Sequence, residues 1–78
     1  MQKSFYHIKI NLTGLRCPDP IIYIRKTLRT MHNQNILLVI TDDPTTTRDI
    51  PIFCHFVGHS LTKKNVNKIP YQYYIKKK

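Results

Sequence analysis

The sequence has no tryptophan, no glutamate and only two glycines, and its two cysteines, Cys17 and Cys54, are far apart in the chain. Because they form no CxxC pair, Cys17 lacks the nearby resolving cysteine that thioredoxin-like exchange requires. The chain also lacks a secretory signal and any apolar run near the roughly 18 residues of a membrane span. These absences favour a reduced cytoplasmic protein with no membrane segment, and leave a Cys17–Cys54 disulfide as the lesser alternative.

Acidic residues are scarce as well. Lysine and arginine number 13 against four aspartates, which gives a formal net charge of +9. Such an excess favours acidic partners, whether nucleic acid, an anionic protein surface or a membrane surface. Compositional drift toward lysine, asparagine and isoleucine would produce much of the same excess. Charge alone therefore identifies no function.

Metal-ligand patterns are weak in this chain. His55 and His59 are four residues apart and could meet on one helical face beside Cys54. Surface histidines late in a helix are far commoner than a metal site of this kind. We therefore expect no metal, and we interpret Cys54 as a packing residue within an apolar stretch.

Hydrophobic periodicity predicts six elements in a single domain spanning residues 1–78. Period-two alternation or continuous apolar sequence indicates strands over about residues 5–12, 36–40, 61–67 and 71–76, with helices over about 18–31 and 45–59. A strand, helix, strand succession implies a parallel pair with a right-handed crossover, and the last two strands form an antiparallel hairpin. The predicted fold is a two-layer α+β sandwich of order β-α-β-α-β-β, with both helices on one face of a four-stranded mixed sheet.

Helical spacing also predicts which side chains point toward the sheet. In the first strand the inward face should hold Tyr6, Ile8, Ile10 and Leu12. In the first helix it should hold Ile21, Ile24, Leu28 and Met31, and in the second Ile50, Phe53, Phe56 and Val57.

The segment Cys17-Pro18-Asp19-Pro20 is the most informative in the chain. Both prolines suit a helix start, where backbone donors have no intrahelical partner, so Cys17 should lie at or beside the N-cap. There the helix dipole and the adjacent Arg16 favour a thiolate, and a free-cysteine pKa of about 8.5 can fall to roughly 3.5–7.5. Asp19 acts against the thiolate but favours the helix dipole. We therefore predict a nucleophilic Cys17.

A second stripe on the first helix faces solvent and consists of Ile22, Arg25, Lys26 and Arg29. An outward isoleucine surrounded by cations within two turns of Cys17 is typical of a docking surface. It is equally typical of an ordinary basic helix face with one stray apolar residue. The pattern leaves both interpretations open.

An exposed thiolate could attack a carbonyl, exchange with a disulfide, or accept sulfur as a persulfide. Hydrolysis requires a positioned base such as His7 or His32 and also a substrate cleft, for which so small a chain has no room. Exchange requires a resolving cysteine where Pro20 stands. Persulfide transfer requires only an accessible nucleophile and a surface that docks the donor and the acceptor.

Several segments together resemble the TusA (SirA-like) sulfur-carrier family. They are Leu15-Arg16-Cys17-Pro18-Asp19-Pro20, Ile24-Arg25-Lys26-Thr27, Asp42-Asp43-Pro44, Thr47-Arg48-Asp49-Ile50-Pro51, Phe53-Cys54 and Pro70-Tyr71 before Tyr73. The resemblance covers almost the whole chain and is nearest to the members that serve tRNA 2-thiouridine synthesis.

The resemblance implies a sulfur relay. A cysteine desulfurase would pass persulfide sulfur to Cys17, supported by Arg16, Pro18, Asp19 and Pro20. The carrier, which has no cofactor, would pass it to the TusBCD complex for 2-thiolation of the tRNA wobble uridine. Direct contact with tRNA is left open. The alternative function is a small basic RNA-binding or regulatory module in which the thiol is idle.

Overall fold

The computed structural model describes residues 5–78 as a four-stranded sheet with two helices. In chain order the elements are β1 (Ile8–Asn11), α1 (Asp19–Thr30), β2 (Ile36–Thr41), α2 (Thr46–Val57), β3 (Ser60–Asn65) and β4 (Tyr71–Lys76). The strands lie in the order β1-β2-β4-β3. β1 pairs with β2 in parallel, and the other two pairs are antiparallel. The predicted α+β sandwich and its element order are confirmed.

The first strand is shorter than predicted because its partner begins at Ile36. The His7 amide donates to the Ile36 carbonyl at 2.8 Å, and the Ile36 amide donates back to His7 Nδ1 at 2.9 Å. The imidazole thus replaces a backbone acceptor and ends the ladder. Tyr6 lies beyond this point and is exposed, contrary to the prediction. The rest of the inward face packs against the core, namely Ile8, Ile10 and Leu12.

Helix α1 occupies the predicted segment, with Pro18 at its N-cap and Met31 at its C-cap. Its inward stripe is confirmed, since Ile24, Leu28 and Met31 are buried and Ile21 packs partly buried against them. The prolines behave as expected, because Pro20 takes a first-turn position that needs no N–H donor. Cys17 is therefore the residue immediately before the N-cap.

Helix α2 differs from the prediction in which residues it buries. Ile50 and Cys54 are buried and Phe53 is partly buried, but Phe56 is 86% exposed and Val57 is 41% exposed. Phe56 follows Ile50 by six residues, which at 3.6 residues per turn turns it about 120° away from the core. Val57 lines a cavity of about 200 Å³ between the two helices instead of filling the core. The helix ends as predicted at Gly58, whose φ of 84° is left-handed.

The core lies between the helices and the inner face of the sheet. Its central strand residues, Leu37 and Val39 on β2 and Tyr73 and Ile75 on β4, are fully buried. The Tyr73 hydroxyl is 3.0 Å from Thr46 Oγ1, which in turn donates to the Asp43 carbonyl at 2.6 Å. This chain of hydrogen bonds joins the sheet to the loop that leads into α2. None of the helices in residues 5–78 is long and apolar enough to cross a membrane.

Candidate functional site

The loops after β1 and β2 meet at one edge of the sheet. Because these two strands are parallel, their carboxyl ends point the same way and the loops that follow them are neighbours. The first loop carries Arg16 and Cys17 into α1, and the second carries Asp42 and Asp43 into α2. All four residues are thereby brought together, although Arg16 and Asp42 are 26 positions apart.

Asp43 is the buried centre of this junction, with a relative exposure of 2%. Its Oδ2 accepts a hydrogen bond from the Cys17 amide at 2.8 Å, and its Oδ1 accepts one from the Thr45 amide at 3.0 Å. Burial alone would raise the pKa of this carboxyl, but the hydrogen bonds from Thr45 and Cys17 outweigh it, and the pKa is lowered. A single ionised carboxylate therefore ties the loop before α1 to the start of α2.

Asp42 makes the second tie between the loops. Its Oδ1 accepts from the Gly14 amide at 2.9 Å and from Arg16 Nη1 at 2.8 Å. Gly14 has a φ of 90°, a left-handed conformation that glycine adopts without strain. The Gly14 and Arg16 hydrogen bonds lower the pKa of Asp42. The Arg16 side chain is thus engaged by the β2–α2 loop.

The electrostatic surroundings of Cys17 are the reverse of those predicted. Its thiol is exposed, yet nearby atoms still displace part of its hydration, and the carboxylates of Asp49 and Asp43 face it. Reduced hydration raises the pKa of Cys17 most, and the charge of Asp49 and its hydrogen bond with the S–H raise the pKa further above its ordinary value. The prediction of a lowered pKa is therefore wrong for the free protein.

The cation that lowers the pKa of Cys17 is Arg48, not the predicted Arg16. Arg48 lies in the first turn of α2 and donates from Nε to Asp49 Oδ1 at 3.2 Å. Its side chain is 72% exposed, so water screens much of its charge. Arg48 therefore offsets the effects of reduced hydration and the two aspartates only in part, and the pKa of Cys17 stays raised.

Replacing Asp49 by asparagine should make Cys17 react faster with iodoacetamide. The substitution removes a negative charge beside the sulfur and offers an amide donor, so the pKa of Cys17 should fall and more thiolate should be present near neutral pH. The measurement is the alkylation rate at Cys17 as a function of pH, followed by mass spectrometry. Asp19→Asn, which removes an exposed carboxylate from α1, is the matched control and should change the rate less. An unchanged or slower rate in Asp49→Asn would contradict this account of the site.

The outward stripe of α1 is exposed as predicted. Ile22 is 44% exposed, and Arg25, Lys26 and Arg29 are also exposed. The adjacent Tyr23, which the sequence interpretation omitted, is 48% exposed. The stripe therefore offers both apolar and cationic groups on the helix that begins beside Cys17.

The second cysteine has a different environment. Cys54 is a free thiol in the core with a relative exposure of 2%, and burial raises its pKa to about 11. This confirms the packing interpretation. Within residues 5–78, no group of three histidine, cysteine or acidic side chains is placed to hold a metal ion.

Three charged residues of the site, Asp43, Arg48 and Asp49, were assigned no role from sequence. A signal for them was present, since Asp42-Asp43-Pro44 directly follows an apolar strand predicted to run parallel to the strand before Cys17. Parallel strands end at the same edge of a sheet, so polar residues after each of them come together. Which carboxylate faces the sulfur depends on side-chain placement at that edge.

Comparison with known proteins identifies relatives of the chain. Residues 8–77 match the family model described as sulfurtransferase TusA. Among solved structures, the chain is similar to the SirA-like protein from Desulfitobacterium hafniense, with a TM-score of 0.73 and 17% sequence identity. That match covers 90% of this chain and 95% of the other. At this identity the structural likeness shows the fold alone, whereas the family match spans all six elements.

Proposed function

Because the chain belongs to the TusA family of sulfurtransferases, we propose that it carries sulfur as a persulfide on Cys17. Family membership makes the protein a sulfur carrier that transfers sulfur on a cysteine. We assign the persulfide to Cys17 because its thiol is exposed, whereas the thiol of Cys54 is buried. With two cysteines in the whole chain, Cys17 is the thiol that a partner protein can reach.

The loading step is a sulfur transfer between two cysteines. The donor is a cysteine desulfurase that holds a persulfide on its own cysteine. Cys17 attacks the terminal sulfur as a thiolate, and a new S–S bond forms on Cys17. The donor's S–S bond breaks, its electron pair leaves on the donor cysteine as a thiolate, and the Cys17 proton goes to water. No external oxidant or reductant is consumed.

The surroundings of Cys17 suit a carrier that should not react before it meets its partner. The raised pKa of Cys17 reduces the fraction of thiolate in the free protein, so the thiol is a weaker nucleophile toward small molecules. A donor that brings positive charge to Asp49 would weaken its effect and favour the thiolate. Arg48 already contributes in that direction. Nucleophilicity would then depend on docking.

The prolines and Asp43 hold the sulfur in an exposed position. Pro18 and Pro20 restrict the backbone at the start of α1, and the Asp43 carboxylate holds the Cys17 amide. A persulfide would extend the group by one more sulfur, about 2.05 Å beyond Sγ. A sulfur at an exposed loop can enter the active site of a larger protein, which supplies the cleft that this chain lacks.

The unloading step is the same chemistry with a different partner. A cysteine of an acceptor such as the TusBCD complex attacks the terminal sulfur of the Cys17 persulfide, and Cys17 departs as a thiolate. The sulfur then proceeds toward the 2-position of the tRNA wobble uridine. The free thiols of Cys17 and Cys54 fit a reducing compartment, and we place the relay in the cytoplasm.

The test of this relay follows labelled sulfur. The protein is incubated with a cysteine desulfurase, pyridoxal phosphate and ³⁵S-cysteine, and mass spectrometry determines which cysteine gains one sulfur. We expect the sulfur on Cys17, its loss when purified TusBCD is added, and its arrival in tRNA in a complete thiolation system. Sulfur on Cys54, or on neither cysteine, would refute the proposal.

We propose further that the outward stripe of α1 docks these partners. Reversing charge in Arg25→Glu with Lys26→Glu should slow sulfur loading at low salt by about tenfold or more, because exposed charges at an interface act mainly on association rates. The measurement is the loading rate as a function of desulfurase concentration and ionic strength. The matched control is Lys64→Glu with Lys68→Glu, which makes the same charge change at exposed residues in β3 and the loop after it. Equal slowing in both variants would assign the effect to net charge.

A further inference from the structure

The sheet face opposite the helices carries a distinct set of side chains. Along β2, Leu37 and Val39 point into the helix-side core, so the alternate residues point the other way. Leu38 is also buried, with a relative exposure of 5%, but it does not belong to the helix-side core cluster, which agrees with this alternation. The strand register then assigns the residues of this open face: Lys9, Asn11, Ile36, Leu38, Ile40, Ser60, Lys63, Asn65, Gln72, Tyr74 and Lys76.

One row of the open face has a lysine at each end. Lys9 pairs with Leu38, Leu38 with Tyr74, and Tyr74 with Lys63, so the row crosses all four strands. At a strand spacing of about 4.8 Å the row is roughly 14 Å across. Lys63 Nζ lies over the Tyr74 ring at 5.9 Å from its centroid. The centre is apolar and aromatic, and both edges are cationic.

Each neighbouring row combines polar side chains with one isoleucine, Ile36 or Ile40, and the face has no acidic residue. One contains Lys76 beside Ile36 and Ser60, and the other contains the amides Asn11, Gln72 and Asn65. All four aspartates of the chain are elsewhere, in α1, in α2 and in the β2–α2 loop, at positions 19, 42, 43 and 49. The acidic groups are thus concentrated near Cys17, and the charged residues of the open face are all lysines.

We propose that the open face binds a single strand of nucleic acid. Lys9, Lys63 and Lys76 would contact phosphates, and Tyr74 would stack on a base. In the adjacent row the Oδ1 atoms of Asn11 and Asn65 accept hydrogen bonds from Thr13 and Asn67, so these two side chains would offer base edges their NH₂ donors. The Lys63 ammonium would move from the ring to a phosphate, because base stacking on an aromatic ring outweighs an exposed cation–π contact.

A nucleic acid strand fits this surface better than an acidic protein does. Protein interfaces are depleted of charge at their centres and bury an apolar core. Here Leu38 is already covered, and Ile36, Ile40 and Tyr74 are only partly exposed, so little apolar area is left for a protein to bury. Phosphate contacts and one stacking ring require no such area. The face shares no side chain with the Cys17 site, which is formed by the loops after β1 and β2 and by the first turn of α2.

The test is binding of fluorescently labelled oligouridylate and oligothymidylate of about twelve nucleotides, measured by anisotropy at several salt concentrations. Both oligonucleotides offer the phosphates and bases that the proposal requires. The one that binds with the higher affinity indicates whether the natural ligand is RNA or DNA. Lys9→Gln with Lys63→Gln should weaken binding and reduce the log–log salt slope by about 1.4, or about 0.7 per phosphate lost. The matched control with equal net charge is Lys26→Gln with Arg29→Gln on α1. It should change the affinity and the salt slope much less.

Substitution of Tyr74 separates stacking from charge. Tyr74→Leu should weaken binding by about fivefold or more while leaving the salt slope unchanged, and Tyr74→Phe should restore binding. Thermal unfolding monitored by circular dichroism checks that both variants fold. Cys17→Ser should bind as the natural protein does, so a failure of the sulfur-carrier proposal would not affect this result.

Three results would overturn the nucleic-acid proposal. One is no binding at low salt. Another is equal weakening by the α1 control, which would make the attraction a property of net charge. The third is binding of polyglutamate as tightly as the oligonucleotides and without sensitivity to Tyr74→Leu, which would assign the face to an acidic protein.

Discussion

Replacing Cys17 by serine should abolish sulfur acceptance from a cysteine desulfurase. The hydroxyl keeps the size and polarity of the side chain, but it cannot form the S–S bond in which the sulfur is carried. The chain has one other cysteine, and Cys54 is buried with its pKa raised to about 11, so it offers neither access nor thiolate. The measurement is the mass of the protein, and of its cysteine-containing peptides, after incubation with desulfurase and labelled cysteine. Fold and stability should be unchanged.

Cys54→Ala is the control for this experiment. It removes the second thiol from the core and should lower the free energy of unfolding while leaving sulfur acceptance at Cys17 intact. Cys17→Ser should therefore affect sulfur acceptance alone, and Cys54→Ala should affect the free energy of unfolding alone. Persistent labelling of Cys17→Ser, or loss of labelling in folded Cys54→Ala, would transfer the carrier role to Cys54 and contradict the reading of the site.

Replacing Asp43 by alanine should destabilise the protein and impair loading at the same time. The carboxylate accepts from the Cys17 and Thr45 amides, and its removal leaves both donors without their partner. We expect the free energy of unfolding to fall by about 2 kcal/mol, measured by urea denaturation, since each buried unsatisfied donor costs about 1–3 kcal/mol. Loading should slow because the backbone that presents the sulfur is no longer held.

The reactivity of Cys17 toward iodoacetamide should change in the opposite direction in Asp43→Ala. The Asp43 charge raises the pKa of Cys17, so its removal favours the thiolate. Faster alkylation together with slower loading would show that Asp43 acts by positioning the sulfur. Slower alkylation, or loading at the natural rate in a folded variant, would contradict that role.

The stability contributed by Asp43 should depend on pH. Its pKa is lowered in the folded state, so its contribution is fully present above the unfolded pKa of about 3.9 and is lost as pH falls through the lower folded value. The difference in unfolding free energy between the natural protein and Asp43→Asn should therefore be large at about pH 7 and smaller at about pH 3. Asp42→Asn, in which a more exposed carboxylate is replaced, should show a smaller difference.

Most of the fold followed from local patterns. Alternation in the strands, the stripe Ile24, Leu28 and Met31 in α1, and the exit at Gly58 all depend on the periods of regular structure, which neighbours in sequence determine. The errors have different causes. His7 ends β1 because its ring accepts the Ile36 amide from a distant part of the chain. Phe56 is exposed because its angle around α2, a local property, turns it away from Ile50.

By itself, the sequence determined the position of the thiol. Two prolines and an amphipathic helix place Cys17 just before α1 whatever surrounds it, because proline geometry is local. Only the tertiary structure decided the charge that the sulfur meets. The parallel pairing of β1 and β2 brings Asp43, Arg48 and Asp49 to Cys17 from the loop after β2 and the start of α2. Reduced hydration and the two aspartates raise the pKa of the thiol, and Arg48 opposes them only in part. Electrostatic interactions act through space, so a pKa depends on neighbours that sequence spacing does not reveal.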